Sequence, residues 1–362
     1  MADLVDRADE FQRRRAVAGF PLAVIYKFFD DQGNYLAAVV TYYSFVAIFP
    51  LLLIASSIFG FVLQGDPHLQ KQLLNSALSQ FPIVGTQLGK PGGVQGSTSA
   101  VVIGVLTALY GVLGLGQAAQ NIVNVVWAVP RNSRLNPVLS RISSLGLFAL
   151  AGLTVLVVTL LSSAGSHLNL FGGDVDRGVS WLFNALAIAV NAAVLSEMMR
   201  WAIARRQSFR AMLPGGLTIA VLWQLLQWAG GAYVSHVIRK AGDMNGVFAV
   251  VLGLVALLYI ASVMAVVGAE VNVVLARRLY PRALLTPFTD AVDLTDADKR
   301  AYADYAKAQR HKGFERVRVT FRHPEPETET EPGREPDSAV ESAVESTVES
   351  DGVREQQPAD GS

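Results

Sequence analysis

The sequence predicts an all-α fold: an integral membrane bundle of six transmembrane helices, both termini cytoplasmic, with a disordered C-terminal tail. Three observations lead there. Residues Gly246–Ala276 form a 31-residue apolar run whose single charge is Glu270. As a helix it is about 46 Å long, beyond a hydrocarbon core of about 30 Å, and it has no polar face for water. Five further apolar runs of span length precede it. Finally, lysine and arginine are distributed unevenly between alternate connections. Fifteen fall in the N-terminal segment, the span 2–3 and 4–5 connections and the exit from span 6, against five in the other loops. That asymmetry orients the bundle with both ends inside and the loop Gln64–Thr98 outside.

Composition agrees. Hydrophobic residues are 51% of the chain and charged residues only 17%, below the quarter usual for soluble domains. The formal net charge of zero averages two unlike pieces: from Pro324 onward 12 acidic residues face two basic ones, leaving 28 basic and 18 acidic residues before it. Cysteine is absent, which excludes disulfides, thiolate metal sites and a cysteine nucleophile. The first 35 residues are too charged, and the first apolar run too long, for a cleavable signal peptide.

Taken in order, residues 1–35 form a basic, amphipathic cytoplasmic segment with Arg13, Arg14 and Arg15 in a row. Its stretch Pro21–Asp31 either lies in the membrane surface or packs on the bundle ends. Residues 36–276 form the six-helix domain. Span 1, about Leu36–Leu63, contains Pro50, which predicts a kink near Ala47 because proline removes a backbone donor. Span 2, about Ser99–Trp127, places Gln117, Gln120, Asn121 and Asn124 at i, i+3, i+4 and i+7, hence on one face. Lipid cannot satisfy amides, so that face looks into the bundle or a wet cavity. Span 3, about Leu139–Ser163, is almost wholly apolar. Span 4, about Gly178–Ala204, ends near Glu197 and Arg200. Span 5, about Ala211–His236, carries Gln224 and Gln227. In span 6, Gly246, Gly253 and Gly268 fall within an arc of roughly 60°, a seam for close helix contact. Residues 277–323 form a cytoplasmic segment in which Thr295 caps a short helix, Asp296–Arg310. Residues 324–362, rich in Pro, Glu, Ser and Thr, read as a disordered acidic tail.

Two features admit both a structural and a functional reading. The amide stripe either bonds helices together or walls a polar vestibule open to the cytoplasm, with Glu270 at the same end. Glu270 itself either pairs with a basic residue of another span, such as Arg200 or Arg205, or handles substrate or protons, or meets the headgroup boundary. Hydrolytic chemistry has little support. The five histidines are scattered, no nucleophile elbow or phosphate loop occurs, and the glycines near Gly111, Gly114 and Gly116 lie inside a span.

Several of these residues carry a family resemblance. Ala37-Ala38, Thr41-Tyr42-Tyr43-Ser44 and Phe49-Pro50-Leu51-Leu52-Leu53 in span 1 resemble the YihY/BrkB family of bacterial inner-membrane proteins. So do Ala119, Asn121, Asn124 and Trp127 closing span 2, and Gly268-Ala269-Glu270-Val271-Asn272 closing span 6. The resemblance covers roughly residues 20–280. It departs at Asn245-Gly246, where the family usually has Tyr-Gly, and at Leu257-Leu258-Tyr259, where it often has tryptophan. The resemblance implies a multi-pass protein of the cytoplasmic membrane linked to envelope integrity, with lipids or other amphiphiles as candidate cargo. An old family label, ribonuclease BN, implies clustered histidine and aspartate ligands that this sequence lacks.

Together these readings predict a non-enzymatic envelope protein, a transporter or flippase-like factor with membrane lipids as partners. It needs no cofactor, metal or nucleic acid, and its small-residue seams permit a homo-oligomer. The rival reading is a scaffold whose polar groups hold helices together and whose tail recruits partners.

Overall fold

The structure is a computed structural model that describes residues 2–62, 98–168, 177–236, 246–284, 286 and 292–321. Among them are nine α-helices, one short 3₁₀ turn at Arg131–Ser133 and no strand. Helices α1 (Ala2–Arg14) and α2 (Ala16–Asp30) precede six long ones. These are α3 (Gly33–Val62), α4 (Thr98–Val126), α5 (Pro137–Leu168), α6 (Arg177–Ala202), α7 (Phe209–His236) and α8 (Gly246–Arg277). Each contains one of the six apolar runs, and α9 (Asp296–Ala308) follows. Three helices are long and apolar enough, among the described residues, to cross a membrane: Ala185–Ala202, Phe209–Ala229 and Val251–Arg277. The loop 64–97 and the tail 324–362, with its expected disorder, lie outside the described residues.

The long helices pack in a ring. Each of α3 to α8 lies against its neighbours in sequence, and α8 closes the ring on α3. Helix α4 also touches α6 and α8 across the middle. Among the described residues, Val126 of α4, Met212 of α7, and Val266, Ala269, Val273 and Val274 of α8 are buried together. The outward faces carry large apolar residues such as Leu106, Leu153, Leu225, Trp228 and Leu252, each more than half exposed. A water-soluble protein does not leave so continuous an apolar girdle bare. In hydrocarbon it costs nothing, and this is a membrane-embedded fold.

Glycine allows the closest approaches. A Cβ on Gly215 of α7 would stand 2.0 Å from the Gly268 carbonyl oxygen, and one on Gly268 would stand 2.4 Å from Ile219. Of the three glycines expected to form a seam, Gly268 stands at this close approach, Gly253 is half-buried, and the surroundings of Gly246 lie outside the described residues. The glycines of α4 do the same work: Gly111 meets Ala47, Gly114 meets the Tyr43 ring, and Gly116 meets Ser144 of α5. Helix α3 runs on through position 50, and the surroundings of Pro50, on which the expected kink depends, lie outside the described residues.

Two long helices end without glycine. Val129 N–H bonds the Asn124 carbonyl and Leu279 N–H the Val274 carbonyl, the wrap of a Schellman motif. The left-handed position falls on Ala128 (φ 47°) and Arg278 (φ 52°). Thr295 caps α9 as expected, in a full capping box with Asp298.

Candidate functional site

Between α4, α5 and α6 lies a cavity of about 180 Å³. Leu115, Gly116, Ala119 and Val123 of α4 line one side, Leu147, Phe148 and Ala151 of α5 the second, and Leu195, Met198 and Met199 of α6 the third. Ile219 of α7 and Ala265 of α8 complete it. Ser144 supplies the one hydroxyl. Small residues, Ala119, Ala151, Ala202 and Ala265, leave room in this lining. The space is open on one side, and an apolar guest that enters it is held by packing against this lining.

The amide stripe stands beside this cavity. Gln120 is buried; its amide nitrogen donates to the Ser140 carbonyl and to Ser144 Oγ, each at 2.9 Å, and Ser140 Oγ donates back at 3.0 Å. Asn124 is buried too, donating to the Gln120 carbonyl at 2.7 Å and accepting from Ala204 N–H at 3.0 Å. Asn121 is exposed and accepts from Arg134 at 3.3 Å, while Gln117 is half-buried. Gln120 and Asn124 thus tie α4 to α5 and to the end of α6, which favours the helix-bonding reading for these two. Ser144 joins that polar network to the cavity wall.

Glu270 is elsewhere. It faces α2, not the stripe, and its basic neighbour is Lys27, with Nζ 3.7 Å from Oε2. The expected pairing with Arg200 or Arg205 does not form: Arg200 bonds Glu197 on its own helix at 2.9 Å. The reason is that α2 tucks beneath the bundle, burying Ala23, Val24, Tyr26 and Lys27, and so reaches Glu270 first. Packing on the bundle, one of the two expectations for Pro21–Asp31, describes this face. Lys27 also pairs with Asp31 one turn on and donates to the Val126 carbonyl at 3.1 Å. Burial pushes the Asp31 carboxyl up from its ordinary value, against the pull of Lys27. The Tyr305 ring of α9 lies under the Lys27 ammonium, 4.8 Å from its centre, and burial raises that phenol as well.

A second buried charge, Arg282, fastens this end of the molecule. It pairs with Asp298 of α9, and with Asp30 of α2 at 3.1 Å. Gln12 donates to its carbonyl, and Tyr26 to that of Leu284. Arg277 bonds Asp304 at 2.5 Å and the Trp127 carbonyl at 2.6 Å. Lys27, Asp31, Arg282, Asp298, Tyr305, Ser140 and Ser144 were not singled out by the sequence. The one legible hint was Lys27 inside the apolar run Ala23–Phe29. Closing the ring, Asn272 of α8 accepts from Gly215 N–H at 2.6 Å, and Thr41 of α3 bonds Ser262 at 3.2 Å.

Among known proteins, residues 24–290 match the family model described as Virulence factor BrkB. An uncharacterized protein of Dickeya dadantii (strain 3937) is 28% identical over 221 residues, 56% of this chain and 67% of its own length. The inner membrane protein YhjD of Escherichia coli (strain K12) is 29% identical over 107 residues, 28% of this chain and 32% of its own. No solved structure matches. The matched stretch holds the ring of long helices, the cavity and the Lys27–Glu270 contact, and the chain belongs to the BrkB family.

Proposed function

We propose that this protein handles a membrane amphiphile, as a transporter or flippase-like factor of the cytoplasmic membrane that contributes to envelope integrity, without enzymatic chemistry. The observation that carries the reading is the apolar cavity between α4, α5 and α6, cornered by the Ser140–Ser144–Gln120 network. An acyl chain entering from hydrocarbon gains little by the hydrophobic effect, since it is already out of water. Its gain is packing against Leu147, Phe148 and Met198, as for any apolar guest in a dry cavity. The adjoining hydroxyls and amide suit the polar end of such a chain. Six spans with both termini inside is the arrangement that the basic-residue asymmetry supports.

The test reconstitutes the purified protein into phospholipid vesicles with a headgroup-fluorescent lipid and follows its bleaching by an impermeant reductant. Wild-type protein should expose inner-leaflet lipid, and Ala151→Phe, which fills the cavity, should slow that step at least tenfold. Equal rates for wild-type vesicles and empty vesicles would sink the reading. The scaffold alternative is favoured only by the inward-bonded amides; it predicts that removing residues 324–362 abolishes function, whereas a transporter keeps it.

A further inference from the structure

The Lys27–Asp31–Glu270 cluster has a charge imbalance that the fold must resolve. Three ionisable side chains are packed together, with Glu270 0% exposed, Lys27 2% and Asp31 6%. One ammonium faces two carboxyl groups. Lys27 spends its contacts on Asp31 and the Val126 carbonyl, and its approach to Glu270, at 3.7 Å, is longer than a hydrogen bond. Neither oxygen of Glu270 meets a donor at hydrogen-bonding distance. The surroundings offer Glu270 no donor: α2 adds the acid Asp30, and the Tyr305 hydroxyl of α9 faces Asp31 instead. The other nearby cation, Arg282, is already held by Asp298 and Asp30. A carboxylate buried with no donor and a share of one cation carries a penalty of several kcal/mol, which a bound proton removes.

We propose that Asp31 and Glu270 hold one proton between them beside Lys27, forming a proton-binding site at the junction of α2, α8 and α9. The geometry that brings the two acids together is their common neighbour: the Lys27 ammonium pairs with Asp31 and stands 3.7 Å from Glu270. With the proton in place the cluster is neutral: one ammonium, one shared negative charge. Loss of that proton to water leaves a net negative charge in a dry pocket and weakens the hold of α2 and α9 on the end of α8. The site is therefore a loading point for protons on the side of the membrane that α2 and α9 occupy. It stands independently of whether the cavity takes an amphiphile.

The experiment is infrared spectroscopy of the full-length protein in nanodiscs at neutral pH, reading the protonated-carboxyl C=O stretch and its shift in deuterated water. Wild type should show the band, and it should vanish in both Glu270→Gln and Asp31→Asn. Each isosteric variant leaves one carboxylate for one ammonium, so no proton is needed. Lys27→Met should roughly double the band, because both carboxyls then take a proton. Absence of the band in wild type, its survival in either single amide variant, or no gain in Lys27→Met would each overturn the proposal. Circular dichroism on the same samples confirms that each variant keeps its helices, and the wild-type spectrum alone can refute the site if a variant fails to fold.

Discussion

At the scale of single residues, buried charge decides the behaviour of this protein. Breaking a buried pair costs more than never having made it, because the orphaned partner stays in the dry interior. Lys27→Ala should therefore lower unfolding free energy by about 3–5 kcal/mol at pH 7, read by denaturation in detergent, because the freed carboxyl must take up a proton there; part of the loss should return in acid, where the unfolded chain binds that proton too. The pH dependence of Asp31 has a definite sign. Its folded pKa is raised by burial, so the folded state binds the proton more readily than the unfolded chain. Its contribution is full in acid below the ordinary aspartate value of about 4, and it is lost as pH rises from there through the folded value. Asp31→Asn should flatten that fall in a series of melting curves from pH 4 upward. If the variant and wild type decline in parallel, the slope has another source.

At the scale of elements, close helix contact rests on residues without side chains. Gly215→Ala would drive a methyl into the Gly268 carbonyl, and backbone cannot step aside as a flexible side chain can. The expected loss is about 1–3 kcal/mol or more, seen as a lower melting temperature. Gly152→Ala is the matched control. Among the described residues nothing lies within 4 Å of its added methyl, so the gain in helix propensity should leave the protein equal or more stable, by up to about 1 kcal/mol. The elements themselves were legible. Each apolar run maps to a helix whose described ends agree to within a few residues, and Thr295 announced α9 through its capping box. Less legible were the ends at Ala128 and Arg278, since a left-handed terminus usually advertises itself with glycine. The site was readable in part. Spacing put the amides on one face, yet spacing says nothing of where a second helix places Ser140 and Ser144. The partner of Glu270 was sought among the spans, and it came from α2, an element whose sequence reads equally well as a surface helix.

At the scale of the whole molecule, the ring of α3 to α8 holds the three candidate membrane spans, and α1, α2 and α9 form a charged cap on it. Arrangement across the bilayer is open to direct mapping, because the chain has no cysteine to interfere. Single cysteines in place of Arg131 and Arg206 should react with an impermeant thiol reagent only from the cytoplasmic side, and one at Lys90 only from outside. Reaction of Arg131→Cys from outside would invert the arrangement. On the stripe, Asn121→Cys should label readily and Gln120→Cys and Asn124→Cys poorly, matching their exposure.

The cap joins the first helices to the segment that follows α8, and this sets an order of events at the ribosome. Gln12 bonds the carbonyl of Arg282, Asp9 the N–H of Leu284, and Arg282 reaches Asp30. Each contact spans more than 250 residues of sequence. At about 5–20 residues per second, roughly 12 to 50 s pass between the synthesis of Asp31 and that of Arg282. For all that time the contacts of α2 with Arg282 and with α9 cannot form. Arrival of the last span and the segment beyond it is what draws the first helices home. A nascent chain that stops before Arg282 would lack these contacts, so the docking of α1 and α2 marks a chain made past α8, and a protease that cuts within α2 would tell the two apart.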